Sequence, residues 1–441
     1  MGKVDLKFMN SALIMPGGSQ AELLNTFYSR IFSSDFIRKV GETFITRIFL
    51  IGIGLATSVI VARILGPEGR GLYAVSISLG ALAVQFGNLG IYASNTYAVV
   101  QRREALPGLI SNSLWASLIL GVLAFAIFYG VFVVWPNLIQ IQGLLLFSVL
   151  ISIPFGLAFL LLENLLIGLQ DVHAYNIVEI GNRILCLILI GAMILFHTVR
   201  VETIYLCTMI SIMGGSTWAL ARLKFRLSPF PAPTVSLFRE NLRYGLKAYF
   251  ASLLGFLVLR GDLFIIQYML GSKQVGFYSI AVAVADLMCL LPVVIGTILF
   301  PRLSEMSSDR ERCIYTRRVA WCVGVIMIIV SIFVALSAES IVKLLYGNAF
   351  LPSVPALLWL IPGIFMLSIN AIFMNYFASI GMPLVTIYSP AMAALINMIL
   401  NVKLIPILGI VGASISSTVA YGIMLILGLV YFKKKLLKAF A

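Results

Sequence analysis

The sequence is poor in charge, in histidine and in cysteine, and each shortage closes off a class of protein. Asp, Glu, Lys and Arg make up 11% of 441 residues, while 61% are hydrophobic. A soluble chain of this size could not hide so much apolar surface, so lipid must be its solvent. The two histidines, His173 and His197, sit at opposite ends of one apolar run, which suits an interfacial or capping role better than metal binding. The five cysteines, at positions 186, 207, 289, 313 and 322, are odd in number and scattered, and fit neither a disulfide framework nor a metal cage. A Gly-x-x-x-x-Gly-Lys-Ser/Thr phosphate loop is absent, and the longest inner loop, about 25 residues, cannot hold a nucleotide or sugar-donor fold. No catalytic residue, resident cofactor or metal is therefore expected.

What the chain does have is twelve consecutive apolar stretches and an internal echo. The stretches lie near 42–64, 72–96, 109–135, 144–168, 174–196 and 202–221, then near 248–269, 276–299, 319–337, 354–379, 384–406 and 410–432. Each is close to the twenty residues that span a bilayer as a helix, and each is continuous rather than alternating, which excludes a β-barrel. The stretch Leu65-Gly66-Pro67-Glu68-Gly69-Arg70-Gly71-Leu72-Tyr73 is echoed 205 residues later by Leu270-Gly271-Ser272-Lys273-Gln274-Val275-Gly276-Phe277-Tyr278. Both copies join one long apolar run to the next. Ile153-Pro154 and Ile361-Pro362 repeat in the same way, early in the fourth span of each half, and proline within a span commonly kinks it.

Six spans per repeat is an even number, so both copies enter the membrane in the same direction. The expected fold class is an all-α polytopic membrane protein: twelve transmembrane helices in two six-helix bundles, related by a pseudo-twofold axis along the membrane normal, around a central cavity. The domains follow as a cytosolic N-terminal segment over 1–41, a bundle over 42–221, a linker over 222–247, a second bundle over 248–432 and a basic tail over 433–441. Phe8 to Met15 is too short and too polar for a signal peptide. The linker contains Ser228-Pro229-Phe230-Pro231-Ala232-Pro233, an extended, proline-spaced stretch. Placing the N-terminus inside puts 22 basic residues on the cytoplasmic side and six at the outer side, so both termini are expected to be cytoplasmic. The net charge of +14 is thus membrane topology and not a nucleic-acid footprint.

At this point the residues carry a family resemblance. Ala62-Arg63-Ile64-Leu65-Gly66-Pro67-Glu68-Gly69-Arg70-Gly71-Leu72-Tyr73 resembles the opening of the Wzx-type polysaccharide flippases. So do Phe300-Pro301-Arg302-Leu303-Ser304-Glu305, Leu344-Leu345-Tyr346-Gly347-Asn348-Ala349-Phe350, and Leu404-Ile405-Pro406 followed by Gly409-Ile410-Val411-Gly412-Ala413-Ser414. The resemblance implies the fold shared by multidrug and toxic compound extrusion transporters and lipid II flippases. It implies a bacterial inner membrane and transport of an undecaprenyl-diphosphate-linked oligosaccharide, the repeat unit of lipopolysaccharide O-antigen, capsule or exopolysaccharide. A polysaccharide polymerase and glycosyltransferases are the implied partners, beside the lipid bilayer. Asn88-Leu89-Gly90 and Asn95 stand where relatives often carry an acidic and a basic residue, so no role of those charges is carried over.

The chemistry must lie in the charges inside the spans, because a lone ionisable group at mid-bilayer costs roughly 2.5–3.5 kcal/mol and needs a partner, a wet cavity or a ligand. Arg47, Arg183 and Arg260 fall on three spans at depths of about 9, 14 and 18 Å from the inner surface, at ~1.5 Å per residue. They are the expected diphosphate-binding stations, since the guanidinium fork binds phosphate oxygens in pairs. Asp262, Asp286, Glu163 and Glu179 are the candidate ion-coupling groups, with H+ or Na+ as the coupling ion. Glu179 and Arg183 stand four apart and could simply neutralise each other. Asp262 lies about 200° round the helix from Arg260 and should face other neighbours. Arg63 and Lys403, near outer ends, are read as snorkelling. Two alternatives to the flippase stay open: an ion-coupled drug or metabolite antiporter of the same fold, and a membrane-bound oligosaccharide polymerase or ligase. The latter needs a large outer loop with catalytic charges, and the longest, about 338–353, offers Glu339 and Lys343 alone.

Overall fold

The computed structural model describes residues 34–224, 233–306 and 308–440. Residues 1–33 of the expected N-terminal segment and 225–232 of the expected linker lie outside the described residues. The chain divides into two compact units, Met1–Arg47 and Ile48–Ala441, and the contacts that follow are all within the second.

Every regular element among the described residues is helical. In chain order these are α1 (Ser34–Gly87), α2 (Ile91–Gln101), α3 (Leu106–Val134), α4 (Gly143–Gly168), α5 (Val172–Leu195), α6 (Val201–Lys224), α7 (Val235–Leu270), α8 (Ser272–Met288), α9 (Leu290–Glu305), α10 (Asp309–Tyr346), α11 (Val354–Ser379), α12 (Val385–Leu408) and α13 (Ile410–Phe440). Among the described residues, eleven stretches are long and apolar enough to cross a membrane. The protein is a multi-pass membrane protein.

Eleven continuous stretches stand against twelve expected spans, and the difference sits at one place. Thr46–Gly87 is a single 42-residue stretch through both the first and second expected spans. Its one non-helical residue is Gly66, at φ 66° and ψ −176°. Only glycine adopts that conformation readily, and Pro67 then opens the next arm in the first-turn position that tolerates it. Gly271, the equivalent glycine of the second copy, has φ 81° and ψ 176° and joins α7 to α8 in the same one-residue manner. The repeated motif is therefore a repeated backbone turn.

Other boundaries move outward because polar residues near the membrane surface continue the helices. α7 starts at Val235, inside the expected linker. α10 starts at Asp309 and runs 38 residues, about 57 Å at 1.5 Å per residue and far longer than the ~30 Å hydrocarbon core. The Ser308 hydroxyl accepts the Glu311 N–H, and Asp309 and Glu311 occupy the first turn, where negative charge suits the helix dipole. The expected outer loop at 338–353 is mostly absent: α10 continues to Tyr346, and a 3-10 turn over Asn348–Ser353 leads directly into α11.

Packing falls into two sets. α2, α3, α4, α5 and α6 pair with one another, α7 to α13 do the same, and α2 and α3 also touch α7. The largest buried cluster centres on the second set, with Tyr278, Tyr346, Phe350 and Tyr376 among its members, and reaches Ala62, Val75 and Leu79 of α1. The buried residues of the smaller clusters lie on α1 to α6.

Candidate functional site

Helix geometry separates the charges of α7. Arg260 and Asp262 lie two residues apart, on nearly opposite faces, and each finds its own partners. Arg260 Nη2 donates to Asp286 Oδ2 on α8 at 2.7 Å, and the two side chains are 31% and 52% exposed. Asp262 is 1% exposed. Its carboxylate accepts the Leu263 N–H at 2.8 Å, the Ser417 hydroxyl of α13 at 3.1 Å and the Tyr278 hydroxyl of α8.

The donors behind Asp262 form a directed chain. Asn401 Nδ2 donates to Asn397 Oδ1 at 2.8 Å on α12, and Asn397 Nδ2 donates to Ser417 Oγ at 3.3 Å. Each donor in this buried line is turned toward the carboxylate, which keeps a charge tolerable away from water. Beside Asp262 lies a cavity of about 20 Å³, lined by Arg260, Tyr278, Asp286 and Tyr421 together with apolar side chains of α11. That is room for roughly one water or a small ion.

The repeat supplies an internal comparison. At the 205-residue offset, Arg260, Asp262 and Asp286 correspond to Leu55, Thr57 and Ala81. The same turn and the same helix pair form without these charges in the first half. The second-half charges are thus additions to the architecture, not requirements of it.

The remaining sequence candidates are dispersed. Glu163 is buried on α4 and has a partner. Glu179 is half-buried and Arg183 exposed on α5, and the two make no ion pair with each other. Arg47 is half-buried, partnered, and belongs to the Met1–Arg47 unit. The structure therefore brings together Arg260, Asp262 and Asp286 and leaves Glu163 on α4 and Glu179 and Arg183 on α5, in the other set.

Two junctions between the halves were not foreseen from the sequence. At the end carrying the repeated turns, the two motif copies press on each other reciprocally. A Cβ added at Gly71 would lie 2.7 Å from the Ser272 carbonyl carbon and 2.8 Å from the Gly276 nitrogen; one added at Gly276 would lie 2.7 Å from the Pro67 carbonyl carbon. Pro67 and Ser272 are themselves equivalent at the 205 offset, as are Gly71 and Gly276. Arg63, expected to snorkel, instead donates from Nε to the Leu345 carbonyl at 2.8 Å and from Nη2 to that of Leu344. It caps the C-terminal end of α10, where cations are favoured.

At the other end, Asn88 and Asn95 take over where charges were missing. Asn88 Oδ1 accepts the Gly90 N–H at 2.7 Å, holding the break between α1 and α2. Asn95 accepts from Asn241 of α7 at 3.3 Å. Added Cβ atoms would put Gly90 and Gly245 in mutual backbone collision, Tyr97 stacks on Tyr244 at 4.2 Å, and Arg102 pairs with Glu240 at 2.9 Å. Nothing in the sequence pairs Gly90 with Gly245 or Tyr97 with Tyr244.

Helices broken at glycines, two packing sets and a charged interior site define a membrane transporter-like architecture. The fold is that of known transporters. It superposes on a lipid II flippase MurJ in its inward closed conformation with a TM-score of 0.73 at 14% identity, over 90% of this chain and 89% of that one. An inward-facing multidrug resistance MATE family transporter of the MOP superfamily gives 0.69 at 16% identity, over 90% of this chain and 98% of that one. The chain belongs to the family described as polysaccharide biosynthesis protein, whose pattern matches residues 60–355.

Curated relatives agree in kind. The succinoglycan biosynthesis transport protein ExoT of Rhizobium meliloti is 25% identical over 302 residues, covering 62% of this chain and 55% of that protein. The probable low-salt glycan biosynthesis flippase Agl15 of Haloferax volcanii is 22% identical over 213 residues, 48% of this chain and 44% of that one. The chain spans about half the length of the curated relatives it matches.

Proposed function

We propose that the protein is a flippase that moves an undecaprenyl-diphosphate-linked oligosaccharide, the repeat unit of an O-antigen, capsule or exopolysaccharide, from the inner to the outer leaflet by alternating access. It acts as a transporter and not as an enzyme, in a bacterial inner membrane, with both termini cytoplasmic and with glycosyltransferases and a polymerase before and after it. The observation that carries this reading is Arg260: a guanidinium on an apolar helix, partly exposed and held by one carboxylate, in a chain of a polysaccharide biosynthesis family. A group of this kind can exchange Asp286 for a diphosphate as the halves part. Arg183 and Arg47 serve as the other cationic stations.

The nearby carboxylates supply the coupling. In the absence of a nucleotide-binding motif, a proton or sodium gradient or the membrane potential resets the cycle, with Asp262 and Asp286 as its principal groups and Glu163 and Glu179 as further ones. Moving one charge through 100 mV is worth about 2.3 kcal/mol, enough to bias closure of the halves. Flipping of a fluorescent lipid-linked oligosaccharide in proteoliposomes tests the reading. Wild-type protein should flip it and Arg260→Ala should not, with Arg260→Lys intermediate. Normal flipping by Arg260→Ala would remove the residue from the mechanism.

A second reading, an ion-coupled drug or metabolite antiporter, is favoured by the acid–aromatic grouping of Asp262, Tyr278 and Tyr421 around one small cavity. Export of cationic dyes by the same proteoliposomes, without flipping of lipid-linked sugar, would select it.

A further inference from the structure

Arg70 has no place in the scheme so far, and its surroundings do not explain it. It lies in the repeated motif, four residues beyond the Gly66 turn. Nη2 donates to Ser58 Oγ at 3.3 Å, the guanidinium lies 5.9 Å from the centre of the Tyr73 ring, and Nε is buried without a hydrogen bond. Among the described residues no carboxylate comes within ion-pair distance of it. The other anionic feature nearby is the C-terminal end of α10, and its Leu344 and Leu345 carbonyls are already taken by Arg63. Arg70 is half-buried, and a guanidinium whose Nε is shut off from water and whose partners are one hydroxyl and a ring face is costly, because the hydration lost there is not replaced.

The repeat shows that the fold does not require this cation. The residue equivalent to Arg70 at the 205 offset is Val275, which is fully buried in the main apolar cluster. The same turn, the same close glycine and the same following tyrosine are built there around an aliphatic side chain. Arg183 approaches the same ring from α5: the Tyr73 hydroxyl lies 3.1 Å from Thr208 Oγ1, which lies 3.7 Å from Cys186 Sγ, one helical turn beyond Arg183, and neither arginine is paired with a carboxylate among the described residues. Arg70 also sits at the seam that must open for transport, since Ser58 Oγ lies 3.4 Å from the Tyr346 hydroxyl of α10 in the opposite half.

We infer that Arg70, together with Arg183 across Tyr73, forms an anion-binding site in the first half that takes the diphosphate of the lipid-linked substrate as the motif-end junction opens. The inference rests on the flippase reading and adds to it a residue and a location. Ser58 supplies a hydroxyl donor to the bound anion once it parts from Tyr346. In the closed junction the Tyr73 ring face substitutes for the missing anion.

The test uses the full-length protein in nanodiscs, with farnesyl diphosphate, farnesyl phosphate and farnesol as probes, and thermal unfolding measured in parallel. The variant is Arg70→Val, which installs the side chain the second copy already carries. Farnesyl diphosphate should bind the wild type more tightly than the other two probes. Arg70→Val should weaken its binding at least tenfold while the unfolding temperature stays equal or rises, and Arg70→Lys should fall between. Weakened binding with a lowered unfolding temperature would make Arg70 a structural residue and overturn the inference. Unchanged diphosphate binding by Arg70→Val, with binding still lost in Arg260→Ala, would overturn it too and leave the flippase reading intact. A wild type that does not distinguish the three probes would sink the diphosphate reading itself.

Discussion

Replacing Gly71 by alanine tests whether the halves meet at the motif end by backbone contact. The added Cβ would lie 2.7 Å from the Ser272 carbonyl carbon and 2.8 Å from the Gly276 nitrogen. The Ser272 carbonyl oxygen is the first atom the added Cβ meets; carbon atoms in good contact sit at about 3.5 Å or more, so clearing the carbonyl carbon alone takes about 0.8 Å and clearing the oxygen takes more. All these obstructing atoms are backbone, so no rotamer change can relieve the clash. Overpacking of this kind costs typically 1–3 kcal/mol, which as a bias between closed and parted junctions is a shift of about 5–150-fold. The readout is a cysteine at Ser58, introduced after replacing the five native cysteines and labelled by a membrane-impermeant maleimide. In the closed junction Ser58 Oγ is engaged by Arg70 and lies 3.4 Å from the Tyr346 hydroxyl. Gly71→Ala should speed labelling at least fivefold. Gly276→Ala, which meets the Pro67 carbonyl carbon at 2.7 Å, should do the same. The double variant should fall short of the product of the two effects, because the second clash arises in a gap the first has already opened. Labelling at the wild-type rate, with an unchanged unfolding temperature, would show that the contact does not hold the halves together.

Tyr278→Phe removes one of three donors to a carboxylate that is 1% exposed; stability should fall by about 1–3 kcal/mol, and Tyr278→Phe combined with Asp262→Asn should recover part of the loss in a thermal-melt cycle. The Arg260–Asp286 pair is partly exposed, so Asp286→Asn should cost at most about 1 kcal/mol of stability while altering flipping rate in proteoliposomes; a large loss of stability with normal flipping would mark the pair as structural. At the opposite end, Arg102→Glu should speed labelling near Tyr97, and Arg102→Glu with Glu240→Arg should restore the wild-type rate if the 2.9 Å pair closes that end. Flipping measured under separately imposed proton, sodium and electrical gradients should respond to one of them, and Asp262→Asn should abolish that response; equal rates under every gradient would mean that consumption of substrate alone drives transport.

Several features of this molecule were legible before any fold was known, because they depend on local or one-dimensional properties. Apolar run length sets what can cross a bilayer, so the helical membrane class follows from residues 42 to 432 without tertiary knowledge. The echo of Leu65–Tyr73 in Leu270–Tyr278 read as a repeated junction between apolar runs, and the common backbone conformation of Gly66 and Gly271 is its physical content. The opposite facing of Arg260 and Asp262 followed from helix angle alone. Helix ends were less legible: polar residues such as Asp309 and Glu311 look like loop on a hydropathy scale, yet at a helix N-terminus they stabilise the helix that extends past the membrane.

Other features depended on which distant segments touch, and no sequence periodicity carries that information. Asp286 pairs with Arg260 rather than with some other group because α7 and α8 fold back on each other through Gly271. The alignment of Asn401, Asn397 and Ser417 behind Asp262 needs three helices from separate stretches to converge. Arg63 looked like a snorkelling side chain because its partners, two carbonyls of α10, lie more than 280 residues away. The sequence by itself determined the solvent, the helices and the turns, since these follow from side-chain polarity and backbone freedom along the chain. Only the tertiary structure decided which charges are neutralised and which, like Arg70, stay without a carboxylate among the described residues, because a charge in a membrane is stabilised or left exposed by neighbours that packing alone selects.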